Sequence, residues 1–207
     1  MDKNLQIRLK NTFNQLAQIY TNKFTSDKTE QEKLLSLIKE WQLQKGDRVL
    51  EVGGGTGDLT PFLLQKIGAE GSLVFLDIAP KMFAVAKNKL KSFDNISFIL
   101  QDIHFYSDDE LFDKIIIFNT FPHFIDKRMA LKNCFKLLKP KGKLIICHNE
   151  SRSSICLCHH KKQVDNKIAE FPDDKTVAML LIDLNFKIDL FENNEGYDYY
   201  LLVATKP

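Results

Sequence analysis

Val49-Leu50-Glu51-Val52-Gly53-Gly54-Gly55-Thr56-Gly57-Asp58-Leu59 joins an apolar, β-branched run to a glycine-dense turn. The run reads as a buried strand, and Pro61 to Ile67 beyond the turn reads as the start of a helix. A strand–turn–helix unit gathers free backbone N–H groups and a helix N-terminus around one small concavity. Glycine suits such a turn because a ligand must come close to the backbone and some positions need a positive φ. A dinucleotide fingerprint would require G-x-G-x-x-G with its third glycine on the following helix. Counted from Gly53, the third place is Asp58, and counted from Gly55 it is Thr60. Neither register fits.

Outward from this turn, strands and helices alternate. Strands are predicted over Arg48–Val52, Ser72–Asp77, Ile96–Leu100, Lys114–Phe118 and Lys143–Cys147. Helices are predicted over Pro61–Ile67, Pro80–Lys91 and Lys127–Leu138, with a short one near Asp108–Leu111. Alternation of this kind predicts a doubly wound α/β fold, a parallel sheet wrapped by right-handed crossovers. Before it, Phe13, Leu16, Ala17, Tyr20 and Phe24 keep helical spacing, as do Leu34, Leu37, Ile38 and Trp41. After it, helices are expected over Ser153–Ile168 and Asp173–Leu184. Two strands then follow, Phe186–Phe191 and Tyr197–Ala204, across a hairpin turn at Glu192–Gly196. The expected sheet is seven-stranded and mostly parallel, with an antiparallel C-terminal strand and N-terminal cap helices.

In an open parallel sheet, ligands bind beyond the carboxyl ends of the strands, where the strand order switches. Glu51, Asp77 and Asp102 end successive predicted strands and so share one rim. A lone strand-end acid is often only a helix or turn cap. Three in succession on the same rim point to a ligand.

Glu51-Val52-Gly53-Gly54-Gly55-Thr56-Gly57 resembles motif I, acid-x-G-x-G-x-G, of the class I S-adenosylmethionine-dependent methyltransferases. The resemblance is to their small-molecule type. It continues through Phe75-Leu76-Asp77-Ile78-Ala79-Pro80-Lys81-Met82, Gln101-Asp102-Ile103 and Leu138-Lys139-Pro140-Lys141-Gly142-Lys143-Leu144, and covers about residues 10 to 150. It implies S-adenosylmethionine as cofactor, held by Glu51, Gly53, Gly54, Gly55, Thr56 and Gly57. Asp77 is then expected to accept from both ribose hydroxyls, with Ile78 and Met82 packed on the adenine. Asp102 is expected to accept from the adenine amino group, with Ile103 beside it. Asn119, at the end of the fourth strand, would face the methionine part and the reacting methyl. Phe13 to Tyr20 resembles the F-D-x-x-A-x-x-Y pattern of small-molecule methyltransferases, in which Tyr20 would close over the cofactor's amino-acid end. Asn14 and Thr21 depart from the acids usual there, and a helix packing Phe13, Ala17 and Tyr20 into the core explains the spacing equally well.

A methyl sulfonium is already electrophilic, so the resemblance implies that the protein's main task is alignment in a dry pocket. A base is needed only where the acceptor arrives protonated. Asn119-Thr120-Phe121-Pro122-His123-Phe124 lacks the N-P-P-Y tetrapeptide of methyltransferases acting on adenine or glutamine amide nitrogen. Its aromatic walls suit a small acceptor. His123 is either a general base, its reference pKa being near neutrality, or a turn residue. His148, at the end of the fifth strand, is the second catalytic candidate. Arg152 and His159 are candidates for binding the acceptor. Arg152 either clamps a carboxylate or phosphate or pairs with Glu150. Cys156, His159 and His160 can share one helical face and, with His148, suit a soft or borderline metal. Their spacing matches no closed zinc motif, and cysteines are commonly buried as small hydrophobes, so no metal ligand is assigned.

At 207 residues and 44% hydrophobic content the chain suits one domain. Residues 1–45 would form a helical cap, 46–150 a cofactor-binding core and 151–207 the acceptor side. Its 29 basic and 27 acidic residues give a net charge of +2, without the electrostatic footprint of a nucleic-acid binder. No apolar run spans a bilayer, and the N-terminus lacks a signal peptide's apolar core. Four cysteines without a regular framework suggest a reduced, cytoplasmic protein. The expected partner is a small-molecule acceptor, and the expected assembly a monomer or homodimer. The alternatives are an RNA or protein methyltransferase, or a metal- or metalloid-linked methyltransferase or sensor using residues 147–160.

Overall fold

The computed structural model describes residues 3–17, 27–161 and 170–207. Two helices, α1 (Lys3–Leu16) and α2 (Lys28–Glu40), precede the sheet. There follow β1 (Arg48–Val52), α3 (Thr60–Ile67), β2 (Ser72–Asp77), α4 (Pro80–Lys89), β3 (Ile96–Leu100), β4 (Phe112–Phe118), α5 (Lys127–Leu137) and β5 (Leu138–His148). The chain then forms α6 (Arg152–Lys161), α7 (Asp174–Asp183), β6 (Lys187–Asn194) and β7 (Tyr199–Thr205).

The strands form one sheet in the order β3-β2-β1-β4-β5-β7-β6. β1 through β5 pair in parallel, and β7 runs antiparallel between β5 and β6. The order reverses between β1 and β4, so the crevice lies beyond their carboxyl ends. Alternation along each strand divides the core between the two faces. Leu50, Val52, Val74, Leu76, Ile115, Ile117 and Ile146 pack on one side with α5 and α7. Val49, Leu73, Phe75, Ile116 and Ile145 pack on the other with α2, α3 and α4. Glu51 shares the second face with Val49, and its acid is therefore turned inward.

Local chemistry explains the helix starts. Asp27, Asp126 and Asp173 cap α2, α5 and α7 by accepting first-turn N–H groups. Proline stands in the first turn of α3 and α4, where its missing N–H costs nothing. Lys33 of α2 donates to the Asn149 carbonyl at 2.9 Å and ties that helix to the end of β5.

Several expected boundaries move. No helix forms at Asp108–Leu111, because Asp108 accepts from Arg48 at 3.0 Å, from the Tyr106 hydroxyl and from the Glu110 N–H, all of which hold an open loop. β4 starts two residues earlier than expected and β5 five, around an irregularity in their pairing between Phe112 and Lys114. The hairpin turn lies later than expected, since Glu192, Asn193 and Asn194 still pair with Leu201, Tyr200 and Tyr199. α4 ends at Lys89 rather than Lys91, capped by Leu90. Tyr20 and Phe24, and the end of the expected Ser153–Ile168 helix, lie outside the described residues. No helix among the described residues is long and apolar enough to cross a membrane.

Candidate functional site

A cavity of about 1020 Å³, its open mouth included, lies beyond the carboxyl ends of β1, β2 and β4. Its floor is the turn after β1. Gly55 has φ +60, and a Cβ there would meet nothing within 4 Å, so the backbone is bare toward the cavity. Asp77, ending β2, braces this turn: Oδ2 accepts from the Gly55 N–H at 2.8 Å and Oδ1 from the Ala79 N–H at 2.7 Å. Burial pushes its carboxyl up to about 6, against the pull of the Ala79 and Gly55 N–H groups. Glu51 accepts from the Thr60 hydroxyl at 2.8 Å. Its burial raises the carboxyl to about 8; the Thr60 bond opposes this, and the Asp77 and Asp58 charges add to it. The floor therefore holds two carboxyls, both fully ionised only above neutrality. Such carboxyls can accept from hydroxyl donors or pair with a cation.

Asp102 forms the third corner, just past β3. One oxygen accepts from the Gln6 side chain of α1 at 2.7 Å, the other from the His104 N–H at 3.0 Å and from its ring Nδ1. Burial works to raise this carboxyl, but the His104 and Gln6 bonds outweigh it and hold it below the usual range. α1 closes the side of the cavity with Leu9 and Phe13, and its Asn14 accepts from the Lys81 N–H of α4 at 2.9 Å.

The fourth wall follows β4. Asn119 has φ 53, a left-handed conformation that asparagine tolerates. Its side chain is clasped by Asn149, donating to Oδ1 at 2.7 Å and accepting from N–H at 3.1 Å. Asn119 thus lines the cavity while its amide fastens the end of β4 to the segment after β5. Beyond it, Phe121–His123 form a single 3₁₀ turn. His123 meets Phe13 edge-on at 5.0 Å and His159 at 5.5 Å between ring centroids.

The structure brings Glu51, Gly53, Gly54, Gly55, Thr56, Asp77, Ile78, Met82, Asp102, Ile103, Asn119 and His123 to this one cavity. Gly57 does not line it. With φ +74, its missing Cβ lets the turn lie on α4, where a methyl would come 2.8 Å from Leu90 and 3.1 Å from Ala86. His148 is also absent from the lining and only 3% exposed, its ring against Phe171 at 5.0 Å and Tyr200 at 6.1 Å. Burial, with the charges of His123 and His159, pushes it down to about 3, so it is neutral at physiological pH. Arg152 stands off the cavity too, donating to the Pro172 carbonyl at 2.8 Å. His159 is not among the cavity's lining residues, and its ring meets that of His123, which is. Cys147 is buried in the core beside Trp41, away from the half-exposed Cys156 and Cys158. Among the described residues, no group of three or more His, Cys, Asp or Glu is arranged to hold a metal ion.

Sequence reasoning missed Gln6 and His104, both in or beside the cavity. Only His104 carried a local signal, an imidazole two residues after a strand-end acid.

Comparison with known proteins agrees with this architecture. The family model described as "Methyltransferase domain" matches residues 43–200. The ubiquinone/menaquinone biosynthesis C-methyltransferase UbiE of Idiomarina loihiensis is 35% identical over 108 residues, 50% of this chain and 43% of that protein. The chain therefore spans less than half the length of the curated relatives it matches. A SAM-dependent methyltransferase from Aquifex aeolicus superposes with TM-score 0.69 at 21% identity, over 83% of this chain and 88% of that one. The N-methyltransferase NodS from Bradyrhizobium japonicum, in complex with S-adenosylhomocysteine, gives 0.69 at 20% identity over 96% and 98%. At such identities the likeness is one of fold.

Proposed function

This chain belongs to the methyltransferase domain family, and from that premise we propose that it moves a methyl group from S-adenosylmethionine onto a small-molecule acceptor by in-line displacement. The observation that carries the reading is the ring of Glu51, Asp77 and Asp102 around the bare backbone of Gly55. The residues present fit the cofactor. Asp77 keeps a second lone pair on each oxygen for a ribose hydroxyl and supplies negative charge for a cationic ligand, to which Glu51 adds when a cation beside it draws off its proton. Ile78, Met82 and Ile103 offer apolar walls to an adenine. When bound, the cofactor supplies an electrophilic methyl group.

The chain's own residues orient and exclude water. Thr56 and Asn119 border the end where the acceptor would meet the cofactor, and Phe13, His123 and Phe124 form the acceptor's side. His123 is the group positioned to take a proton from an acceptor that arrives protonated. His148 and His159 stand behind it, and Arg152 holds the start of α6. The relatives' printed activity makes a carbon acceptor the first class to assay. The reading includes a cytoplasmic monomer or homodimer, and a division into cap (1–45), cofactor core (46–150) and acceptor side (151–207).

Calorimetry with S-adenosylhomocysteine, followed by radiolabelled methyl transfer to fractionated cell extract, tests this. Saturable binding and a labelled small-molecule product are expected. Absence of binding at high micromolar ligand would sink the cofactor assignment, and label only in macromolecules would sink the acceptor class.

The glycines separate two effects. Gly55→Ala adds a methyl to the cavity floor at a left-handed position, a backbone cost of about 1 kcal/mol. It should weaken S-adenosylhomocysteine at least tenfold with a small drop in melting temperature. Gly57→Ala meets α4 as well, and should destabilise by about 2–3 kcal/mol with a smaller effect on affinity in the folded protein. The reverse ranking in thermal melts and titrations would refute the separate roles.

A further inference from the structure

His104 has more hydrogen-bond acceptors than a neutral imidazole can serve. It is 6% exposed, with Phe105 and Phe124 beside its ring. Nε2 faces the Asp126 backbone carbonyl at 2.9 Å, an oxygen that can only accept, so Nε2 carries a proton. Nδ1 faces Asp102 Oδ1, which already accepts the His104 backbone N–H at 3.0 Å. The other oxygen, Oδ2, accepts from Gln6 at 2.7 Å. A carboxylate with that many donors stays ionised, so the second ring proton belongs on Nδ1 and the ring is an imidazolium. Burial opposes this, but the hydrogen bond and charge of Asp102, followed by the carbonyl and charge of Asp126, outweigh it and raise the ring's pKa. The charged groups facing His104 are Asp102 from the end of β3 and Asp126 from the cap of α5; α1 contributes the uncharged Gln6.

We propose that His104 is a positioning residue for cofactor recognition, bridging Asp102 to the Asp126 carbonyl so that Oδ2, the oxygen reached by Gln6, is aimed at the 6-amino group of adenine. This rests on the reading of the cavity as an S-adenosylmethionine site and adds to it the residue that sets base selectivity. A neutral His104 has one ring proton for two acceptors, so deprotonation releases one end of the bridge and the carboxylate loses its aim. Because the folded pKa lies above the usual histidine value, the bridge is intact at low pH and lost as pH rises through that value.

The experiment compares S-adenosylhomocysteine with its 6-deamino analogue, purine riboside replacing adenosine, by calorimetry. The parent protein should prefer the amino compound by roughly 30-fold or more, as befits a hydrogen bond to a charged group. His104→Phe should cut the preference to within about threefold while leaving affinity for the deamino analogue unchanged, which a merely structural role would not do. In the parent, the preference should decline as pH rises above the usual histidine range. Equal binding of the two compounds by the parent overturns the proposal, as does a variant that keeps the full preference or loses both ligands equally. Should His104→Phe not fold, the parent's pH series decides, and a constant preference overturns the proposal. Failure of the parent to bind S-adenosylhomocysteine at all overturns the functional reading itself, an outcome distinct from lost selectivity.

Discussion

Replacing Asp77 by alanine is expected to weaken S-adenosylhomocysteine binding by at least about 100-fold, the largest effect of any single change in the cavity. Two losses combine. The ribose hydroxyls lose a charged acceptor, each such bond being worth about 1.5–3 kcal/mol. The Gly55 N–H, now held at 2.8 Å, also loses the partner that shapes the turn beneath the ligand. Fold stability should change less, because removing a buried carboxyl relieves the desolvation that lifts it to about 6. The sign of the pH effect follows from that lift. Asp77 must be ionised to accept from two hydroxyls, so affinity in the parent should fall as pH drops below about 6. Titrations on a variant shown folded by circular dichroism check both points. Unchanged affinity would remove Asp77 from the site.

Glu51→Gln is expected to stabilise the protein at pH 8 and leave it nearly unchanged at pH 5. The Glu51 carboxyl is about 8 in the folded chain against 4.5 unperturbed, chiefly through burial. Between those values the folded state holds a proton that the unfolded state has released. Stability therefore declines as pH rises from about 4.5 toward about 8. The shift sets an upper bound on the order of 5 kcal/mol, and a gain of about 2–4 kcal/mol at pH 8, seen as roughly 5–10 °C in melting temperature, is the expected result. Glutamine keeps an acceptor for the Thr60 hydroxyl while removing the buried charge. The same carboxyl should ionise when a cationic ligand settles beside it. Binding at pH 7 should thus release up to about one proton from the parent and none from the variant, measured in two buffers of different ionisation heat. A melting profile that rises with pH through this window, or equal proton release, would contradict the assignment.

These two acids were legible in the chain because their placement is a local matter. A β-branched run bounded by glycine specifies β1 and its end, and Ser72–Asp77 ends at its acid for the same reason. The alternation of such units brings their ends to one rim whatever the loops do. Element boundaries were less legible where a side chain found a distant partner, as when Asp108 met Arg48 and the expected helix at 108–111 did not form.

The glycine turn, the strands that flank it and the acids at their ends follow from residues within a few positions of one another, where period, propensity and turn chemistry operate. The sheet order assigned the remaining roles. Gln6 meets Asp102 across 96 positions, His104 meets the Asp126 carbonyl across 22, and Asn119 meets Asn149 across 30. Packing of the turn on α4 made Gly57 a spacer rather than a wall, and burial against Phe171 and Tyr200 took His148 out of the cavity. Hydrogen bonding and desolvation depend on which elements become neighbours, and that is settled when the sheet assembles.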